Sequence, residues 1–453
     1  MAATASFSTK LERPHLLRVL GLTFGLAVGV GSMIGGGILR APGAVMHQVP
    51  FPAIALGLWA LAALHALISA NVIAEVMTAV PRSGGLFVPA RAAFGRPGGL
   101  LIGWTDWLNQ IAGIAALSIA CGEFLALIVP TLQGHQGATG AAISLVLVLI
   151  NLAGVREGSA VQIAGSGLKI MLLIGLAFAV FLMPSTAPAS AAPVEAIVRP
   201  LSLWGIVVAY QLIIGVMAGW PNPAYFSEED TAPGSNIPRA LFSSILAVSA
   251  LYLLVNGALI YALPLDQLRS SELPIALALS NIFGPLSIKI VAAAAIVIIL
   301  TCNNANFMVG SRVLYGLAQE GLFPSAAKRV NRGGTPHIAL ILTAVFALLL
   351  TLTGKFELMF LIMGALGLLP LIVAEAAIFK LRKSSPDLPR PYRAYAYPWL
   401  PALALLIDVL LLILFIAADW KSGLSIIAAV AICIPIGWAM RSGSKSAQIG
   451  GSS

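Results

Sequence analysis

Apolar runs of about twenty residues, almost free of charge, recur from near residue 16 to near residue 440. As a helix, each run is about 30 Å long, which matches the hydrocarbon core of a bilayer. Only 9% of the 453 residues are Asp, Glu, Lys or Arg. Soluble domains carry roughly 25%, so these residues cannot cover a water-facing surface of ordinary size. A membrane barrel would alternate polar and apolar positions over segments of about ten residues. Continuous Leu, Ile, Val, Ala and Gly runs stand here instead. The reading is an all-α polytopic membrane protein of about twelve transmembrane helices. The expected spans are 17–46, 51–78, 96–130, 141–156, 160–183, 203–228, 240–263, 284–317, 337–353, 357–380, 399–418 and 423–440.

The distribution of basic residues orients these spans. With twelve spans and the N-terminus in the cytoplasm, 20 of the 26 Lys and Arg fall on the inner side. Only Arg40, Arg199, Arg269, Lys289, Lys355 and Lys421 fall outside, which follows the positive-inside rule. Both termini are then cytoplasmic, in a multi-pass protein of the cell membrane, read as a bacterial inner membrane. The N-terminal segment is 1–16, and the tail 441–453 is polar and Gly/Ser-rich. No short apolar region followed by a small-residue cleavage site is seen, so the first span serves as its own insertion signal. The net charge of +9 is scattered between spans and forms no stripe for nucleic acid. Cys121, Cys302 and Cys433 all lie in apolar stretches without a C-x-x-C spacing, so neither a metal site nor any cofactor is expected.

Function is carried by the places where helices should fail. Gly29-Val30-Gly31-Ser32-Met33-Ile34-Gly35-Gly36-Gly37-Ile38 lies inside the first span. Packing through small residues accounts for Gly25 and Gly29. Three adjacent glycines cannot all face one neighbour, so the preferred reading is an unwound segment with exposed N–H and C=O groups. In the sixth span, Gly219-Trp220-Pro221-Asn222-Pro223 sets two prolines in an apolar run, and an unbroken helix there is improbable. Glu228, Glu229 and Asp230 follow, either as solvated capping residues or as part of an inner gate. Discontinuous helices at matching places in two halves indicate a transporter with inverted repeats. Half-helix N-termini suit an anion and free carbonyls a cation, and a zwitterion presents both.

These segments resemble the amino acid–polyamine–organocation superfamily, in its amino acid permease/exchanger branch. The resemblance rests on Gly31–Ile38 with Pro42-Gly43, on Gly219-Trp220 through Tyr225-Phe226-Ser227-Glu228-Glu229, and on Asn236-Ile237-Pro238-Arg239-Ala240. Ser311-Arg312-Val313-Leu314-Tyr315, Gly321-Leu322-Phe323-Pro324 and Thr335-Pro336 add to it. Gly36 stands where many members have serine. The resemblance implies a LeuT-like 5+5 inverted repeat (17–183 and 203–380, together a core of 17–380) plus two C-terminal helices at 399–440. It also implies alternating access. The substrate carboxylate would meet N–H groups around Gly35, Gly36 and Gly37. The amino group would meet carbonyls near Met33 and Ile34 and near Val216, Met217, Ala218 and Gly219. Many members carry an aromatic gate just before the Gly-Trp pair, whereas none stands at 215–218 here. Either the gate is missing and the pocket larger, or Tyr210 or Trp220 supplies it.

Lys169 lies within the fifth span. It resembles the lysine that takes the place of a sodium ion in sodium-independent members. Its ammonium either faces the bundle, as a proton carrier or a fixed coupling cation, or snorkels to the interface. Asp106, Asn109, Asn303 and Asn306 form a candidate polar network, with Glu123, Glu375 and Asp408 as further intramembrane acids. His65 is read as a hydrogen-bonded packing residue. No nucleophile–base pair or metal cluster can be assembled, so an enzyme is not expected. The leading function is secondary active transport of L-amino acids, by sodium-independent exchange or proton-coupled uptake. The partners are the substrate and membrane lipid, with oligomeric state open. The alternatives are a membrane channel or a non-transporting amino acid sensor.

Overall fold

The computed structural model describes residues 16–182 and 201–418, together with residues 423, 424, 427, 428 and 431. Segment 1–15, the whole 183–200 connection, nearly all of the expected span 423–440 and the tail lie outside the described residues. The first expected span is three pieces: α1 (Leu22–Met33), a 3-10 turn Gly36–Leu39 and α2 (Ala41–Gln48). Then come α3 (Pro52–Ala79), α4 (Phe87–Ile128), α5 (Gln136–Ala153) and α6 (Val155–Phe181). The sixth span is α7 (Leu203–Met217) followed by a 3-10 turn Asn222–Phe226. After it lie α8 (Pro233–Ala262), α9 (Leu265–Ser270), α10 (Pro274–Phe283) and α11 (Leu286–Gln319). The described helices end with α12 (His337–Thr351), α13 (Phe356–Ser384) and α14 (Trp399–Ala418).

Among the described residues, eight helices are long and apolar enough to cross a membrane, counting α7 with its turn as one. The polarity of the bundle is inside out. Leu168, Met171 and Phe178 on α6, Phe346 and Leu349 on α12, and Leu406 and Ile413 on α14 are exposed. Lys169, Gln162, Asn303, Asn304 and Arg312 are buried. Water would penalise that arrangement, whereas lipid favours it because apolar side chains lose nothing by facing hydrocarbon. The chain is a multi-pass, all-α membrane protein.

One expected boundary falls on a break in the backbone, and another moves for a local reason. Within Phe87–Ile128 the backbone leaves the helical region at Gly95 (φ 73°, ψ −163°), just before Pro97, so the expected start at 96 coincides with a break and a separate helical piece from Phe87 precedes it. The turn expected near 154–159 contracts to Gly154. There Val155 N–H reaches the Gly333 carbonyl at 2.9 Å, and α6 begins at once. Helices α9 and α10 fold in the 264–284 connection, where hydropathy alone places no span.

Helix α4 is central and packs against α5, α11, α12 and α13, while α1 packs against α6, α8 and α11. The α4–α5 contact is set by reciprocal glycines. A Cβ on Gly122 would lie 2.0 Å from the Gln136 carbonyl oxygen, and one on Gly140 would lie 1.9 Å from that of Ser118. The obstacles are backbone atoms, so a methyl group must push the helices apart. We expect Gly122→Ala and Gly140→Ala each to cost about 1–3 kcal/mol, read as a lower thermal midpoint in detergent. The double variant should be less than additive, because either methyl alone already opens the same contact.

Candidate functional site

Helix α1 stops at Met33. Ile34 (φ −77°, ψ 90°) and Gly35 (φ −106°, ψ −177°) are extended, which ends the hydrogen-bond ladder at mid-bundle. A helix end leaves carbonyls without intrahelical donors and carries partial negative charge. Side chains of three other helices answer these carbonyls. Lys169 Nζ on α6 donates to Gly31 O (2.6 Å) and Ile34 O (2.8 Å). Cys302 Sγ on α11 lies 3.3 Å from Ser32 O, and the Tyr252 hydroxyl on α8 donates to Met33 O at 2.8 Å. Lys169 is thus fully buried against the interrupted helix, not drawn to the interface.

The second break crosses the first. Helix α7 ends at Met217, and Gly219 takes φ 96°, a left-handed backbone suited to glycine. A Cβ on Gly219 would lie 2.8–2.9 Å from Ser32 atoms, and one on Gly37 would lie 2.9 Å from Val216 Cγ2. Asn222 Nδ2 donates to Ser32 Oγ at 2.9 Å. Tyr252 touches both breaks, because its hydroxyl also lies 3.4 Å from Val216 O.

Unpaired backbone groups remain where the breaks face each other. The N–H groups of Gly36 and Gly37 begin a 3-10 turn and have no backbone acceptor among the described residues. The carbonyls of Gly215 and Met217, at the end of α7, likewise take no backbone donor there. Gly37 and Ala218 are exposed. Leu117, Phe124, Ile299 and Cys302 lie nearest Gly35 and Gly36 and give the surroundings an apolar character.

At the N-terminal end of the bundle, the same two spans are tied together. Leu20 N–H donates to Glu229 O (3.0 Å), and Thr231 N–H donates to Leu20 O (2.8 Å). Arg312 of α11 grips the Glu229 carboxylate with Nε at 3.0 Å and Nη2 at 2.8 Å. Its guanidinium stacks 5.1 Å from the Phe226 ring. Glu228 accepts the Ser83 N–H at 3.1 Å, and Arg18 donates to Asp230 O at 3.0 Å. Burial pushes the Glu229 carboxyl above the usual carboxylate range, and the Arg312 guanidinium opposes that shift. Glu229 is therefore an enclosed ion-pair partner and not a solvated cap.

The structure does not gather the other candidate residues into one site. Asp106 accepts the Tyr225 hydroxyl at 2.9 Å, which anchors the turn after the second break. Asn303 donates to Ser118 Oγ at 2.9 Å, away from Asp106. Asn109 sits beside Gly367, and Asn306 faces Gly113. Tyr210 lies on α7 two turns before the break, with its hydroxyl near His65, while Trp220 is buried just after Gly219. The sequence reading passed over Tyr252. It also passed over Gln162 and Ser166, which meet Ala27 O at 3.2 and 2.7 Å. Gln162, Ser166 and Lys169 follow an i, i+4, i+7 stripe on α6, and that signal was available.

A polytopic bundle with two spans broken inside it, Gly37 of one break packed against Val216 of the other, has the construction of a membrane transporter. The chain belongs to the amino acid permease family, whose sequence profile matches residues 15–442. It is 27% identical to the serine/threonine exchanger SteT of Bacillus subtilis (strain 168) over 437 residues, covering 95% of this chain and 98% of that protein. It is 26% identical to the branched-chain amino acid permease BcaP of the same strain, with 88% of each chain covered. Similarity to the mouse b(0,+)-type amino acid transporter 1 is 24% over 419 residues, covering 90% of this chain and 85% of that one. These relatives are transporters, and the chain is a transport protein, not an enzyme.

Removing the Lys169 ammonium orphans two buried carbonyls, each worth about 1–3 kcal/mol. We expect Lys169→Ala to lower the thermal midpoint and to abolish transport. Tyr252→Phe removes one of the two donors to Met33 O, which keeps the Gly35 N–H, and should cost less than half as much stability in the same melting assay.

Proposed function

We propose that this chain carries neutral L-amino acids across a cell membrane by alternating access, as a sodium-independent exchanger or a proton-coupled importer. The observation that carries the reading is the juxtaposition of the free Gly36 and Gly37 N–H groups with the free end of α7. The donors suit an α-carboxylate, and the carbonyls of Gly215 and Met217 suit an α-ammonium. Met33 O already accepts from the Tyr252 hydroxyl and the Gly35 N–H, whereas Ile34 O accepts Lys169 and keeps a second lone pair. The apolar side chains beside Gly35 and Gly36 favour an uncharged substrate. Lys169 supplies a fixed positive charge at the carbonyls a sodium ion would otherwise need, which supports sodium independence.

The breaks fall in the first and sixth spans, which supports two inverted five-helix repeats and a separate C-terminal pair. The basic-residue count supports cytoplasmic termini, with the bacterial inner membrane as the expected location. The Arg312–Glu229 clasp is then an inner gate in its closed position, and the exposed Gly37 and Ala218 face the outside. Opening that gate separates two buried charges, so the clasp sets a barrier in each cycle.

Purified protein in vesicles tests the function. Radiolabelled neutral amino acid should enter faster when unlabelled amino acid is inside, or with an inward proton gradient, and a sodium gradient should change nothing. Absence of amino acid flux under every gradient would refute the proposal. Arg312→Ala strands Glu229 in the interior. It should cost about 3–5 kcal/mol of stability and lower flux at least tenfold, measured by melting and uptake on one preparation.

A further inference from the structure

Away from the two breaks, the bundle buries a second group of titratable side chains that the site above does not use. His65 and Ser69 lie one turn apart on α3, Tyr210 on α7, Glu375 on α13 and Asp408 on α14. All are less than a tenth exposed, and Glu375 and Asp408 are 0% exposed. His65 Nε2 lies 3.0 Å from Asp408 Oδ1, and the Tyr210 hydroxyl lies 3.4 Å from His65 Nδ1. The Glu375 carboxyl faces Asp408 and Ser69. Neither carboxyl group nor the Ser69 hydroxyl has a hydrogen bond of good geometry among the described residues, and His65 Nε2, though close to Asp408, is not aligned for one.

Charge balance decides what such a group can be. On α7 and α14, Tyr210 and Asp408 are the residues that face it. On α3, Glu75 is two turns away and is held by Arg382 and Arg390. On α4, which also packs against α13, Asp106 is bonded to Tyr225 and Arg91 is paired with Glu320. No lysine or arginine of these helices is paired with Glu375 or Asp408 among the described residues. Two ionised carboxylates beside one imidazole would leave uncompensated negative charge in an apolar interior, at a cost of several kcal/mol. An imidazolium offsets only one of them, so a proton must reside on the other. Among the described residues, no such group is arranged to cage a metal ion.

We propose that Glu375, Asp408 and His65 form a proton-binding site, distinct from Lys169, in the seam between α14 and the rest of the bundle. Its occupancy biases the position of α7 through Tyr210. The step is transfer of H⁺ between water and a carboxylate oxygen, with no other bond made or broken. Tyr210 is seven residues before Met217, about 10 Å along one rigid helix. A change in the His65–Tyr210 contact therefore moves the end of α7 where the free carbonyls stand. Only this last link rests on the transport reading.

Infrared difference spectra between acidic and alkaline pH test the site itself. Wild-type protein should keep a protonated carboxylic band well above pH ~4, where exposed carboxylates ionise. Glu375→Gln combined with Asp408→Asn should remove it, and each single variant should shift it. An unchanged band in the double variant overturns the proposal. Should none of the variants fold, absence from the wild type of any carboxylic band above that pH, sensitive to deuterium exchange, overturns it equally. The flux arm uses exchange in vesicles as a function of pH. The double variant should move the midpoint of the profile by about one unit or more, and Tyr210→Phe should move it while leaving the infrared band. Profiles matching wild type refute the link to α7. If wild-type protein moves no amino acid, the transport reading fails while the infrared arm still decides the proton site.

Discussion

The Lys169 ammonium on the Gly31 and Ile34 carbonyls is the interaction on which the rest of the architecture depends. A helix that ends inside a bilayer exposes carbonyls with no water to take them, and each costs about 1–3 kcal/mol unless a donor arrives. One cation satisfies two of these carbonyls and meets the partial negative charge of the α1 terminus. Tyr252 and Cys302 satisfy the intervening ones from two other helices. The break is therefore held open by side chains from α6, α8 and α11. Gly36 and Gly37 can then leave their N–H groups unpaired, because the segment cannot rewind without losing those contacts.

The same logic explains why the two interrupted spans cross where they do. Gly219 fits against the Ser32 backbone only because it lacks a Cβ, and its φ of 96° turns the chain away from α7. Tyr252 spans both helix ends, so they are fixed relative to one another as well as to the bundle. At the N-terminal end, these spans meet again through the Leu20 hydrogen bonds and the Arg312–Glu229 pair. The same spans therefore cross twice, once beside exposed backbone at Ser32 and once where charge clasps them.

Much of this was legible in the sequence because helix failure has a chemical signature. Gly35–Gly37 and Pro221-Asn222-Pro223 mark both breaks, and a lone lysine in an apolar run marks a buried donor. The partners were not legible, because pairing across distant helices leaves no local pattern. Nothing around Tyr252 distinguishes it from any tyrosine in a span, yet it joins α8 to both helix ends. Asp106 and Asn303 look equivalent as intramembrane polar residues, but one anchors Tyr225 and the other Ser118. The break at Gly95, just before Pro97, was legible from the glycine and proline, and it separates the piece that starts at Phe87 from the expected span.

His65 illustrates how a modest sequence reading changes once neighbours are known. A single histidine on an apolar helix is ordinarily a packed, hydrogen-bonded residue, and its ring is indeed buried. Its neighbours are two carboxyl groups brought by α13 and α14, which appear in the sequence as isolated acids in separate spans. Hydrophobic packing alone would place leucines there, since a buried carboxyl destabilises a lipid-depth helix unless it is matched. The cluster contains too few positive charges to match both acids, so its protonation state follows the bundle's geometry. A seam that binds charge in this way lets α3 and α14 bear on an interrupted span, because both pack against α7.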